Sequence, residues 1–83
     1  MTFAAPSHRL VGYDRVTDHV GDERDVPGEM LPHAKTIAHV PADDPEAAAC
    51  WPLAAEEARA LAGLLGVNIE WSRFDWFLEG FAP

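Results

Sequence analysis

Covalent stapling is missing from this chain, because Cys50 is its sole cysteine and no internal disulfide can form. Small secreted domains lean on disulfides where a short chain cannot bury enough apolar surface, so the expectation is a cytoplasmic protein. The opening residues Met1-Thr2-Phe3-Ala4-Ala5-Pro6 carry neither a basic segment nor an apolar stretch, which argues against a secretory signal. Long hydrophobic runs are also lacking. The longest apolar-plus-glycine run covers residues 60–67, far short of the roughly 20 residues that cross a bilayer. Positive charge is scarce: six Lys and Arg stand against 14 Asp and Glu, a formal net charge of −8. That sign repels phosphate backbones instead of releasing their counterions, and repels anionic lipid surfaces for the same reason. Neither nucleic acid nor a membrane is therefore an expected partner, whereas a basic protein surface is. The plainer reading of the charge is that it keeps a small domain soluble.

What the chain does have is apolar mass. Of 83 residues, 48% are hydrophobic, with three Trp, four Phe and one Tyr. A chain this short buries only about 60–65% of the surface it exposes when unfolded, so it holds one core. No repeat, low-complexity tract or linker divides it. Residues 1–6 read as a flexible tail ending at Pro6, and residues 7–83 as a single domain.

Residues 7–15 carry Leu10, Val11 and Tyr13 and read as a first strand, with Gly12 a bulge or a point of close approach. Val16-Thr17-Asp18-His19 reads as a turn. Residues 20–26 form a second strand with charge on both faces, Asp22 and Arg24 on one and Glu23 and Asp25 on the other. Such a strand belongs at a sheet edge, where charge discourages unwanted pairing. Pro27-Gly28 stops it. Leu31, Ala34, Ile37 and Ala38 recur at helical spacing, and Pro32 suits a first turn, so residues 31–40 predict a short helix. The acidic loop Pro41-Ala42-Asp43-Asp44-Pro45-Glu46 follows.

Residues 47–53 are a short buried strand or an extended connector, with Pro52 counting against the strand. Residues 54–65 form the clearest element. Ala58, Leu61, Ala62 and Leu65 make one apolar stripe, Glu56 and Glu57 favour the helix dipole, and Gly66-Val67 reads as a glycine C-cap with its hydrophobic follower. Val67, Ile69 and Trp71 then alternate as in a half-buried strand. Beyond it, Ser72-Arg73-Phe74-Asp75 reads either as a capping box opening a short helix that groups Phe74, Phe77, Leu78 and Phe81, or as a continued strand that groups Phe74, Trp76 and Leu78. The helical turn is the preferred reading. The order is β-β-α-β-α-β: an α+β domain with a small sheet of three to four strands and two helices on one face.

The run Tyr13-Asp14-Arg15 leading to Val20-Gly21-Asp22-Glu23, the stop Val26-Pro27-Gly28, the helix, the Asp-Asp-Pro loop and the ending Phe74-Asp75-Trp76-Phe77-Leu78-Glu79 together resemble a family of small uncharacterised bacterial proteins. The resemblance implies a compact α+β unit and brings no catalytic residues with it. The alanine-rich segment before Cys50 departs from the more polar sequence expected there. A bacterial source also agrees with the basic residues, five of six being Arg.

Residues fit for chemistry are present but scattered. His33 and His39 lie six positions apart, about 120° around a helix, and no Cys or His pair has the close spacing of a zinc site. His8 and His19 meet only if the hairpin brings them together. Cys50 sits beside Trp51 in an apolar run of an acidic protein, without the electropositive setting that lowers a thiol pKa, and reads as a core thiol. Asp43 and Asp44 suit a turn, Glu56 and Glu57 a helix N-terminus. No phosphate loop, nucleophile elbow or EF-hand pattern occurs. The expectation is no catalytic set, no metal and no cofactor.

Two features point to binding. The acidic stretch Asp18, Asp22, Glu23, Asp25 and Glu29 lies on the edge-like hairpin, and Trp71, Phe74, Trp76, Phe77, Leu78 and Phe81 crowd the C-terminal segment. Interfaces enrich aromatics, and charge steers encounter. The expected function is a non-enzymatic protein-interaction domain, an accessory subunit or an inhibitor- or immunity-like module. In it Asp22, Glu23 and Asp25 steer a basic partner, and Trp71, Phe74, Trp76, Phe77 and Phe81 anchor it. The alternatives are a small enzyme or ligand-binding protein with a cleft near Cys50, Trp51 and the histidines, and a homodimer joined by an edge strand or the aromatic patch.

Overall fold

Period-two alternation organises the computed structural model, which describes residues 8–44, 47 and 49–80. Strands β1 (His8–Asp14), β2 (Val20–Val26), β3 (Cys50–Leu53) and β4 (Phe74–Gly80) form one antiparallel sheet in the order β2-β1-β4-β3. Helices α1 (Leu31–Ile37) and α2 (Ala55–Leu65) complete the order expected from the sequence. The charged hairpin arm β2 stands at one edge of the sheet and the proline-bearing β3 at the other, the places where charge and a missing N–H are tolerated.

Register decides which side chains share a face, since residues directly opposite in antiparallel strands point the same way. His8 lies opposite Val26, Leu10 opposite Leu78, Gly12 opposite Trp76, and Leu53 opposite Trp76 on the far side. All of these belong to one face. There Leu10, Val26, Leu53, Phe74, Trp76 and Leu78 pack with Ala34 and Ala38 of the α1 segment and Ala58, Leu61 and Ala62 of α2 into the core. Both helices therefore cover the same side. Alanines at the helix contacts let these short helices sit close to the large rings of the sheet.

Two glycines make room for those rings. A Cβ on Gly12 would lie 2.9 Å from the Trp76 indole, and one on Gly21 would collide with the Phe74 ring. The register shift between β1 and β2 falls at this point, with Gly12 opposite Asp22 and Tyr13 opposite Val20, so Gly21 is the extra residue of a bulge. The turn that follows is tied by Asp14, whose carboxylate accepts the N–H groups of Val16 (2.8 Å) and Thr17 (3.1 Å). Those two backbone donors hold the Asp14 carboxyl below its ordinary range.

Helix α2 follows its sequence signals. The Glu57 carboxylate accepts the Ala54 N–H at 2.7 Å, Gly66 adopts φ 71°, and the Val67 N–H reaches back to the Ala62 carbonyl at 3.0 Å. Helix α1 is shorter than the expected span, because His39 turns into the left-handed region (φ 56°) and ends it without a glycine. A 3-10 turn, Gly28–Met30, leads into it.

The C-terminal segment overturns the preferred reading. Residues 67–70 form no strand, residues 71–73 are a turn, and the final strand runs over Phe74–Gly80 with no helix. Tertiary pairing explains this: β4 sits between β1 and β3, where both of its edges are hydrogen-bonded, and that outweighs a weak capping signal. The tail at residues 1–6 and Phe81 lie outside the described residues.

Candidate functional site

The same alternation leaves a second face of the sheet away from the helices. It presents Arg9, Val11 and Tyr13 of β1, Glu23 and Asp25 of β2, Asp75, Phe77 and Glu79 of β4, and Cys50 and Pro52 of β3. Val11 is only 1% exposed, yet it lies outside the core cluster. Glu23 and Phe77 lie directly opposite it on the two neighbouring strands.

At the centre of this face lies a connected group. The Tyr13 hydroxyl donates to the Glu79 carboxylate at 2.5 Å, and the Cys50 thiol donates to the same oxygen at 3.4 Å. The Tyr13 and Phe77 rings meet edge to face, with centroids 5.5 Å apart. Strand register brings Glu79 directly opposite Cys50, while Tyr13 reaches along β4 past Phe77.

The Glu79 charge resists loss of either neighbouring proton. The hydrogen bond to Glu79 is the main reason Tyr13 is pushed up to about 12 from 10.0. Partial desolvation, then the same carboxylate, pushes Cys50 up to about 11 from 9.0. A thiol held protonated in this way is a poor nucleophile at neutral pH. Cys50 is nonetheless exposed, which corrects the expectation of a core thiol. With Trp51 opposite Leu78 on the covered side, alternation forces Cys50 outward.

Around this centre the charges are paired sideways. Arg9 bridges Glu23 at 2.9 Å and Asp25 at 3.3 Å, and Arg15 holds Asp75 at 3.0 Å. A cavity of about 270 Å³ opens between the hairpin turn and the strands, lined by Tyr13, Asp18, Cys50, Asp75 and Phe77. A wider apolar depression of about 560 Å³ lies between the helices, near Pro32, Ile37, Ala60 and Leu64. Apart from His33 it has no titratable lining.

The residues expected to bind are dispersed. Phe74 and Trp76 are buried in the core at 7% and 2% exposure, a correction that follows from the strand replacing the helical turn. Trp71 is 43% exposed in the turn before β4, beneath the Arg59 guanidinium at 5.3 Å. Phe77 alone of the described aromatic anchors lies on the uncovered face. The acidic stretch is divided as well. Glu23 and Asp25 face the uncovered side, whereas Asp22 faces the covered side and pairs with Arg24 at 2.9 Å.

Cys50 and Trp51 point to opposite faces, so the cavity that Cys50 lines takes in neither Trp51 nor a histidine. His8 is buried against the Ala47 carbonyl (3.1 Å) at one end of β1, and His19 lies beyond the other end. His39 pairs with Glu57 at 3.0 Å. Among the described residues, no three His, Cys, Asp or Glu side chains gather as ligands for a metal ion. Sequence reasoning missed Tyr13 and Glu79, although continued alternation through residues 74–80 would have put Glu79, Phe77 and Asp75 on one face.

The chain belongs to the family described as Domain of unknown function (DUF7683), whose family model matches residues 7–79. This agrees with the resemblance to an uncharacterised family carried by the hairpin and the C-terminal strand. Neither the curated proteins nor the solved structures contain a match.

Proposed function

We propose that this domain works by binding another protein through the uncovered face of its sheet, as an accessory subunit or an inhibitor-like module, and not by catalysis. One observation carries the reading: Tyr13 and Phe77 form a partly exposed aromatic pair outside the core cluster, beside the buried Val11. Such a pair on a two-layer domain is what an interface centre looks like, with a charged rim around it. The rim holds Glu23, Asp25 and Asp75 against Arg9 and Arg15, and the whole chain carries −8, which favours a basic partner.

Area adds a requirement. Three strands of seven residues and one of four, at about 4.8 Å spacing and about 3.4 Å rise, give a patch of about 400 Å². A stable complex usually buries about 800 Å² on each partner. The partner must then also take in the hairpin tip, where Val16 is 93% and Val20 46% exposed. A cytoplasmic, bacterial setting suits a chain whose free thiol stands exposed.

The test places a photo-crosslinking phenylalanine analogue at position 77 and, as a control, at the exposed helix position 60. In extract of the source organism, position 77 should yield a discrete adduct with another protein and position 60 should not. Equal labelling from both positions, or none from position 77, overturns the reading.

A further inference from the structure

We propose that the cavity bounded by Tyr13, Phe77, Asp18 and Asp75 receives an arginine side chain of the protein that covers this face, an inference that rests on the face being an interface. The walls and the charges select the guest. Two aromatic rings meet edge to face at 5.5 Å, and both line the cavity, so a ring face that this contact leaves free offers a cation an electron-rich surface. The carboxylates of Asp18 and Asp75 line the same space of about 270 Å³, and the Glu79 carboxylate lies behind it, bonded to Tyr13 and Cys50.

An anion is repelled by three carboxylates, and a purely apolar group would strand Asp18 and Asp75 away from water. A guanidinium meets both demands, since its flat face stacks on rings while its N–H groups fork onto carboxylates. The site already shows this chemistry once: the Arg15 guanidinium bonds Asp75 at 3.0 Å while both side chains stay more than half exposed. Asp18 and Glu79 have no cation within ion-pair distance among the described residues, so charge on this side of the sheet is left for a partner to neutralise. A second copy of the chain is the wrong occupant, because it brings a further −8.

The probe is the peptide acetyl-Ala-Arg-Ala-amide, titrated into the isotopically labelled full chain and followed by amide NMR shifts. Its citrulline counterpart, equal in shape and uncharged, is the control. The arginine peptide should shift residues 13, 18, 50, 75 and 77, and the citrulline peptide should bind at least about tenfold more weakly. An Asp18→Asn/Asp75→Asn chain, which changes only exposed side chains, should lose about threefold to tenfold in affinity for the arginine peptide. Equal shifts from both peptides, or shifts spread over every acidic segment, overturn the arginine site. The crosslink at position 77 separates the two ideas. If the double variant forms the adduct in undiminished yield, the arginine site falls and the interface reading stands. If the unchanged chain forms no adduct, the interface reading falls and takes the arginine site with it.

Discussion

The two faces of the sheet are built from the same four strands and hold together in different ways. On the covered face, Leu10, Leu78 and Trp76 are at most 2% exposed because two helices close over them. Burial there removes apolar surface from water on both sides of each ring, and it tolerates no spare volume, as Gly12 and Gly21 show. On the other face Val11 is 1% exposed although it stands on the side of the sheet away from both helices. Charges there pair laterally, Arg9 with two carboxylates, and Glu79 accepts from a hydroxyl and a thiol. Stability thus concentrates on one side, and the opposite side is free to present a chosen chemistry.

The sharpest way to break this contrast is to shorten one ring on each face. Trp76→Ala should cost about 3–5 kcal/mol through its cavity and lost burial. Phe77→Ala, partly buried on the face away from the helices, should cost about 1–2 kcal/mol. Urea midpoints measure both, and similar losses would show that the uncovered face carries the fold as well. Next in size, Gly21→Ala should cost about 1–3 kcal/mol by driving a methyl into Phe74. Gly28→Ala, where a Cβ meets nothing within 4 Å, should change stability by less than about 0.5 kcal/mol.

Alkaline titration sharpens the chemistry of the uncovered side. Tyr13 is raised in the folded chain to about 12 from 10.0, so the folded state favours its neutral form. That contribution to stability is fully present below pH 10.0 and is lost as pH rises through about 12. In Glu79→Gln the tyrosinate absorbance should titrate closer to 10.0, and an unmoved midpoint would remove Glu79 as the cause. The smallest expected effect is on the thiol. The same variant should raise the rate at which Cys50 reacts with an aromatic disulfide several-fold at mildly alkaline pH, while the remaining desolvation keeps the reaction slower than that of a free thiol.

Local signals were legible wherever one residue type carries one mechanism. The β2 span was read correctly because charge on both faces marks an edge, and α2 because its stripe, its acidic first turn and Gly66 agree. The C-terminal segment was misread because Phe74, Trp76, Phe77 and Leu78 satisfy both a helix and a strand period over so short a run. Cys50 was misplaced for a related reason: its apolar neighbours suggested burial, and the face it takes depends on register. The site residues Tyr13 and Glu79 lie 66 positions apart and share no local pattern.

From its sequence alone this chain was bound to contain an acidic α+β unit with a charged edge hairpin and a capped second helix, because composition, periodicity and end signals act over a few residues at a time. Only the tertiary structure decided that residues 74–80 pair between β1 and β3, and so which aromatics enter the core and which stand outside it. A shift of one residue in strand register turns every side chain to the opposite face. The Tyr13, Cys50 and Glu79 group therefore exists through long-range pairing.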